Sequence, residues 1–219
     1  MARLSLPSRL LLHPAAKPLV FACALVPFAW LFYGAATDGL GPNPAEHLSH
    51  ATGDWTLRFL CLTLAVTPLR VMFGLPALAR FRRMLGLFTY FYVVMHLLCY
   101  VWFDKDFVWA DVTHDIAKRP FILVGFAAFV LLTPLAATSF NRAIRLLGAK
   151  RWQALHRLVY AIAGLALLHF YWMRAGKHNF AEVQVYASIV GVLLAWRVAQ
   201  FLIKRWPQRR YLLRRQLSK

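Results

Sequence analysis

Six long apolar stretches are the feature of this sequence that most restricts its fold. Each approaches the roughly 20 residues that an α-helix needs to cross about 30 Å of hydrocarbon. Such runs are too long and too uniformly apolar for barrel strands, and helices satisfy their own backbone hydrogen bonds in lipid. The sequence therefore predicts an all-α integral membrane protein with six transmembrane helices in one bundle. The predicted spans are residues 18–37, 53–73, 83–103, 119–138, 152–173 and 182–203.

The basic residues between these stretches predict how the bundle is oriented. Lys and Arg concentrate before the first span, in the second-to-third and fourth-to-fifth connections, and after the sixth span. All 8 acidic residues fall on the other side or at its membrane edge. Because cytoplasmic connections carry an excess of Lys and Arg, we expect both termini in the cytoplasm. The predicted organisation is a basic cytoplasmic N-terminus at 1–17, a transmembrane domain at 18–203 and a basic cytoplasmic tail at 204–219.

Several functional classes are disfavoured by the placement of charges and cysteines. The net charge of +18 lies in short clusters between apolar runs, so we expect a lipid bilayer and no nucleic acid as partner. No G-x-G-x-x-G or P-loop is present, which argues against a nucleotide-binding domain. Cys23, Cys61 and Cys99 form no C-x-x-C pair. We interpret them as small buried apolar residues rather than ligands or disulfides.

Three histidines lie within the predicted spans, His96 in the third and His156 and His169 in the fifth. Ionisable residues inside a membrane are costly, which makes each of them a functional hypothesis. A hydrogen-bonded packing residue is the alternative interpretation for a single histidine. Five further histidines fall in terminal or connecting segments, where solvated or interfacial positions are expected: His13, His47, His50, His114 and His178.

The depths of these histidines in the membrane favour b-type haem over a zinc site. At the helical rise per residue, His96 and His169 lie roughly 20 and 25 Å from the inner ends of their spans, and His156 roughly 6 Å. His96 and His169 thus share the outer half of the bilayer. Two facing imidazoles suit the axial positions of b-type haem better than a zinc site, which needs more ligands. The residues expected to line a flat slot are Gly86, Phe88, Tyr90, Tyr92, Tyr160 and Gly164.

The spacing of the two fifth-span histidines conflicts with a regular helix. Positions 156 and 169 differ in direction by about 140° on an ideal α-helix, so they do not share one face. Either the helix is locally rewound between them, or they meet a cofactor from different directions.

Motifs along the chain resemble the ferric-reductase-like transmembrane family, which includes the membrane halves of NADPH oxidases. Within it, the likeness is greatest to the haem-binding subunits of bacterial methionine-sulfoxide reductase systems. The segments that carry it are LTLAVTPLR at 62–70, RRMLGL at 82–87, TYFYVVMH ending at His96, KRPFI at 118–122, LLTPLAATS at 131–139 and WQALHRLVY at 152–160.

The resemblance implies that His96, His156 and His169 are haem ligands. Two-haem relatives carry an inner-side histidine about 14 positions before the third-span ligand, and this chain has Arg82 there. The outer haem on His96 and His169 is therefore expected. An inner haem on His156 is singly ligated, differently ligated or absent.

Three arginines near His156 are further candidates for cofactor binding. The resemblance implies that Arg82, Arg83 and Arg157 pair with haem propionates or with a flavin phosphate, since the family is also associated with FMN. The alternative interpretation is that they extend to the membrane surface without a ligand.

The function implied by the resemblance is that of a b-type cytochrome subunit in a bacterial inner membrane. It would pass electrons outward, from quinol or a cytoplasmic flavin reductase, to a periplasmic molybdenum-containing methionine-sulfoxide reductase. Two alternatives remain: a stand-alone ferric reductase or oxidase, and a transporter whose histidines relay protons. The acidic residues between the third and fourth spans either steer the partner or are ordinary solvated side chains: Asp104, Asp106, Asp111 and Asp115.

Overall fold

The structure is a computed structural model that describes residues 6–175 and 180–217, with side chains up to residue 203. Within these ranges the chain is helical and contains no strand. A 3₁₀ turn precedes the fourth helix, and a π-helical turn follows it. The α-helices are α1 Leu6–Leu12, α2 Ala16–Ala36, α3 Pro44–Met72, α4 Arg82–Cys99, α5 Trp109–Lys118, α6 Pro120–Ala137, α7 Asn141–Leu147, α8 Ala149–His156, α9 Leu158–Ala175 and α10 Ala181–Leu217.

Six helical segments of the described chain are long and apolar enough to cross a membrane, which confirms the predicted fold class. Each overlaps one predicted span, and the short helices α1, α5 and α7 lie between or before them. The six segments are Ala16–Ala36, Pro44–Met72, Pro76–Asp104, Pro120–Ala137, Ala149–Ala175 and Ala181–Ile203.

The second span begins well before residue 53, where the apolar pattern starts. Asn43 caps the helix, with its side-chain oxygen accepting a hydrogen bond from the Glu46 backbone N–H at 3.2 Å. Pro44 occupies the first helical turn, where its missing N–H leaves no helical bond unmade. Because residues in this extension are polar, the apolar pattern did not predict where the helix begins. The extension brings Ser49 into the bundle.

The two chain ends also depart from simple flanking segments. In the predicted 1–17 segment, helix α1 docks on the connection before α4, because Arg80 Nη1 donates to the Leu11 carbonyl at 2.9 Å. At the other end, α10 continues as helix to Leu217 and so includes most of the predicted tail.

The connection between the third and fourth spans is ordered by a buried carboxylate. Asp115 is 6% exposed, pairs with Lys105, and accepts a hydrogen bond from the Tyr100 hydroxyl at 3.3 Å. Arg119 Nε lies 3.4 Å from its other oxygen. The hydrogen bond from Lys105 holds the pKa of Asp115 below its ordinary value. The interpretation of four solvated acidic residues is therefore wrong for Asp115, whereas Asp104, Asp106 and Asp111 are exposed.

A buried tyrosine on α4, in the third span, forms hydrogen bonds with α2, the first span. Tyr92 is fully buried, and its hydroxyl donates to the Ala24 carbonyl at 2.8 Å and accepts from the Phe28 N–H at 3.1 Å. These two backbone groups flank Pro27, which lies inside α2. Phe59 stacks on the Tyr92 ring, with centroids 5.2 Å apart. This aromatic cluster packs α2 against α3 and α4.

The three cysteines are unpaired. Cys61 is buried and Cys99 is half-buried, as expected, but Cys23 is exposed on the surface of α2. The prediction of three buried cysteines is therefore wrong for Cys23.

Candidate functional site

The bundle brings His96 and His169 together across a cavity of about 570 Å³. Their imidazole centroids lie 6.1 Å apart, and the ring planes are inclined by 76°. His96 comes from α4 and His169 from α9, as the depth argument predicted. The walls around them are mostly apolar and include Leu57, Leu60, Leu132, Ile162, Ala166 and Phe170.

Each of these imidazoles is oriented by a backbone carbonyl. His96 Nδ1 lies 2.9 Å from the Ser49 carbonyl oxygen, and His169 Nδ1 lies 2.7 Å from that of Phe121. A carbonyl only accepts, so the contact assigns the proton to Nδ1 and leaves Nε2 as the free lone pair. Metal-bound histidines in proteins are commonly oriented in this way.

A glycine lies beside each histidine ring, one helical turn after the carbonyl that orients it. A Cβ at Gly53 would lie 3.2 Å from His96 Nδ1, and one at Gly125 would lie 2.7 Å from His169 Nδ1. The sequence analysis missed both glycines. The only available signal was an isolated glycine in an apolar span, which is common in membrane helices.

Polar side chains also line part of this cavity. Its lining there includes Asp54 on α3 and the ion pair of Lys105 with Asp115. His50 also lines the cavity and is half-buried, so the expectation of an ordinary solvated histidine is incomplete. His47 and His114 are exposed, as expected, and His178 lies outside the described residues.

The residues of the cavity fit a haem better than a metal ion held by protein alone. In the described chain, no three His, Cys, Asp or Glu side chains are grouped to hold a metal. The imidazole rings of His96 and His169, with centroids 6.1 Å apart, are near enough to ligate one metal ion together. The remaining ligands would come from a macrocycle. The cavity volume also lies within the range of about 300–1,000 Å³ for cofactor sites.

His156 lies in a second cavity of about 420 Å³. Its Nδ1 lies 3.0 Å from the Trp152 carbonyl oxygen. The Trp152 ring stacks on the His156 ring, with centroids 3.8 Å apart. Its Nε2 is buried without a hydrogen bond of acceptable geometry, although the Leu135 backbone lies near the ring. The same cavity is lined by Arg82, Arg83 and Arg157, so the structure groups all three candidate arginines with His156.

The fifth span is interrupted between its two histidines. Helix α8 ends at His156, Arg157 forms a turn, and α9 begins at Leu158. The Arg157 N–H is shared between the Gln153 and Ala154 carbonyls, both at 3.2 Å. His156 and His169 line different cavities, so the two residues need not share one face of the span.

Arg197 on α10 is a lining residue of the His156 cavity that the sequence analysis did not select. Its Nη1 donates to the Tyr160 hydroxyl at 2.8 Å, and its Nη2 donates to the Leu64 carbonyl at 3.0 Å. Leu64 precedes Pro68 by one turn, and proline has no N–H to bond that carbonyl. The signal was an intramembrane arginine, but its partner on α3 cannot be read from the sequence.

The two cavities meet in the middle of the bundle, where Leu60, Thr89 and Leu132 line both. The prediction of a flat slot around His96 and His169 is wrong, since none of its six residues lines that cavity, and Gly86 and Tyr160 line the His156 cavity instead. The other residues predicted for the slot lie elsewhere in the described bundle: Phe88, Tyr90, Tyr92 and Gly164.

The fold and the histidine pair define a multi-pass membrane protein with a cofactor-sized cavity between its spans. The chain belongs to the family of ferric reductase like transmembrane components, whose model matches residues 52–168. This confirms the family resemblance seen in the sequence.

Relatives of the chain carry the name protein-methionine-sulfoxide reductase heme-binding subunit MsrQ. The protein from Polaromonas naphthalenivorans (strain CJ2) is 74% identical over 188 residues, which cover 86% of each chain. That from Herminiimonas arsenicoxydans is 53% identical over 182 residues, covering 83% of this chain and 84% of the relative. That from Bordetella pertussis (strain Tohama I / ATCC BAA-589 / NCTC 13251) is 51% identical over 193 residues, covering 88% and 93%. No solved structure matches the chain.

Proposed function

We propose that the chain is a b-type cytochrome that carries electrons across a bacterial inner membrane to a methionine-sulfoxide reductase. The observation that carries the proposal is the His96–His169 pair, whose rings are 6.1 Å apart and whose Nδ1 atoms are both held by backbone carbonyls. The names of the relatives support haem as the ligand and a methionine-sulfoxide reductase as the partner.

The chain's own residues would hold and shield the outer haem, which supplies one-electron oxidation and reduction when bound. His96 and His169 would ligate the haem iron through Nε2, and the carbonyls of Ser49 and Phe121 would keep both rings in the ligating tautomer. The mostly apolar walls would limit the water around a bound haem and so influence its reduction potential. Gly53 and Gly125 leave the space that the two rings occupy.

A second cofactor position is proposed at His156. The buried Nε2 of His156 would ligate an inner haem, with Arg82, Arg83 and Arg157 pairing with its propionates. Arg82 occupies the position where two-haem relatives have the second histidine. The same arginines suit the phosphate of FMN, which is the alternative occupant.

The proposed electron path runs from the His156 cavity to the His96–His169 cavity. With both termini cytoplasmic, 1–17 and 204–219 flank the 18–203 transmembrane domain on the inner side. Electrons would then enter near His156 from quinol or a cytoplasmic flavin reductase. They would leave near His96 to a periplasmic molybdenum-containing subunit, where two electrons and two protons convert the sulfoxide to thioether and water.

Visible spectra of histidine variants test the outer haem. The full chain is purified from haem-replete cells, and the oxidised and dithionite-reduced spectra of wild type, His96→Ala and His169→Ala are compared. The matched control is His114→Ala, because His114 is exposed on the short helix α5. We expect a reduced b-type spectrum in wild type and control that is lost in both cavity variants.

His156→Ala separates one haem from two in the same series. Partial loss of absorbance supports an inner haem, and an unchanged spectrum restricts haem to the outer cavity. Wild-type protein without haem would refute the cytochrome proposal and favour the transporter interpretation, in which the histidines relay protons.

A further inference from the structure

The His156 cavity carries a strong excess of positive charge. Four arginines line it, and none of the lining side chains in the described chain is Asp or Glu. They come from three parts of the chain: Arg82 and Arg83 from α4, Arg157 from the break in the fifth span, and Arg197 from α10. Cations inside a membrane bundle are costly unless an anion or a hydrogen-bond acceptor balances them.

Arg197 is half-buried and has a donor without a hydrogen bond in the described structure. Two of its nitrogens are bonded, to the Tyr160 hydroxyl and the Leu64 carbonyl. Its Nε is buried and makes no hydrogen bond in the described structure. A buried N–H without an acceptor is destabilising, so an acceptor bound in the cavity would relieve that cost.

Tyr160 contributes a second group on the same wall. The Arg197 guanidinium carbon lies 5.2 Å from the centre of the Tyr160 ring, and the Tyr160 hydroxyl accepts the Nη1 hydrogen bond. Since that oxygen accepts from Arg197, its own proton is available to a ligand. Two donors, Arg197 Nε–H and Tyr160 O–H, are therefore available on residues that line the cavity.

We infer that the His156 cavity is an oxyanion site in which Arg197 and Tyr160 contact a carboxylate or phosphate group of the bound molecule. The inference deepens the proposed second cofactor position and rests on it for the identity of the occupant. Three sources share this chemistry: the propionates of a haem, the phosphate of FMN, and the phosphate of an anionic lipid from the inner leaflet. The exposed side of the site is lined by three further cations, Arg82, Arg83 and Arg157.

A purely structural role for Arg197 is the competing explanation. Its bond to the Leu64 carbonyl replaces the helical bond that Pro68 cannot make. Pro68→Ala restores a backbone N–H at that position and so satisfies the carbonyl without Arg197. The double variant Pro68→Ala/Arg197→Gln therefore separates the two roles.

The test measures binding of defined probes to the full-length purified chain by native mass spectrometry. Haemin, FMN, phosphatidylglycerol and, as a zwitterionic comparison, phosphatidylcholine are each titrated onto the wild type and the variants. Loss of one charge-assisted hydrogen bond weakens binding about 10- to 100-fold. We expect a loss of this size for one anionic probe in Arg197→Gln and in the double variant, and a smaller loss in Tyr160→Phe.

Two control variants distinguish the loss of the Arg197 contact from the effect of any other substitution. Pro68→Ala alone should bind the probe as wild type does. Arg145→Gln should also bind normally, because it removes an exposed arginine of α7 that lines neither cavity. The probe whose affinity falls identifies the source of the oxyanion.

The inference is overturned if Arg197→Gln binds every anionic probe as wild type does, or if Pro68→Ala restores binding in the double variant. It is also overturned if wild type binds no anionic probe more tightly than phosphatidylcholine. The spectrum of the His96–His169 haem reports separately on the proposed function. A retained outer haem with unchanged probe binding rejects the oxyanion site alone, and a haem-free wild type that still binds FMN or lipid rejects the cytochrome alone.

Discussion

Replacing Gly125 with alanine should weaken haem binding at the proposed His96–His169 site without unfolding the bundle. The added methyl carbon would lie 2.7 Å from His169 Nδ1 and 2.8 Å from its Cε1, where ordinary contact begins at 3.4 Å. The ring must therefore move by roughly 0.7 Å, and it cannot retreat freely because Nδ1 is held 2.7 Å from the Phe121 carbonyl. Overpacking of this kind costs about 1–3 kcal/mol, equivalent to about 5- to 150-fold weaker haem binding.

The measurement is the rate at which haem leaves each variant for an excess of apomyoglobin, together with haem content and circular dichroism. Gly53→Ala should have a smaller effect, because its methyl carbon would lie 3.2 Å from the His96 ring. Gly164→Ala is the matched control, since it lies on the same helix as His169 with nothing within 4 Å. Haem retention in Gly125→Ala equal to that in Gly164→Ala would refute this account of the site.

Three further predictions concern the scaffold and its orientation. Tyr92→Phe should lower the free energy of unfolding in detergent by about 1–3 kcal/mol, because two backbone groups of α2 lose their hydrogen-bond partner. Tyr33→Phe should leave it unchanged, because the Tyr33 side chain is exposed. The Lys105 hydrogen bond lowers the pKa of Asp115, so its stabilising effect should be present above the ordinary value of 3.8 and disappear as the pH falls below it. Melting temperatures across that range should fall less steeply in Asp115→Asn than in wild type or in the exposed control Asp111→Asn. A fluorescent protein fused to the C-terminus should fold in the cytoplasm and one inserted beside Asp111 should not, and the reverse pattern would contradict the proposed orientation.

The sequence was sufficient to predict the fold class and the main histidine pair. Span number follows from the length of each apolar run, which depends only on local composition and the thickness of a bilayer. The constant helical rise per residue places His96 and His169 at similar depth. Both inferences succeeded because they use distances along one helix and need no knowledge of how the helices pack.

The hydrogen-bond partners of the candidate site residues could be identified only from the tertiary structure. The carbonyls of Ser49 and Phe121 orient the two imidazoles, and Arg197 bonds to the Leu64 carbonyl from a helix far along the chain. Helix rotation and the interruption at Arg157 decide which groups face each cavity, and neither leaves a periodic trace in an almost uniformly apolar sequence. Sequence alone therefore determined how many helices are long and apolar enough to cross a membrane, and that His96 and His169 lie at similar heights on two of them. Only packing decided which backbone groups, glycines and arginines surround them, because those contacts join residues that no local pattern relates.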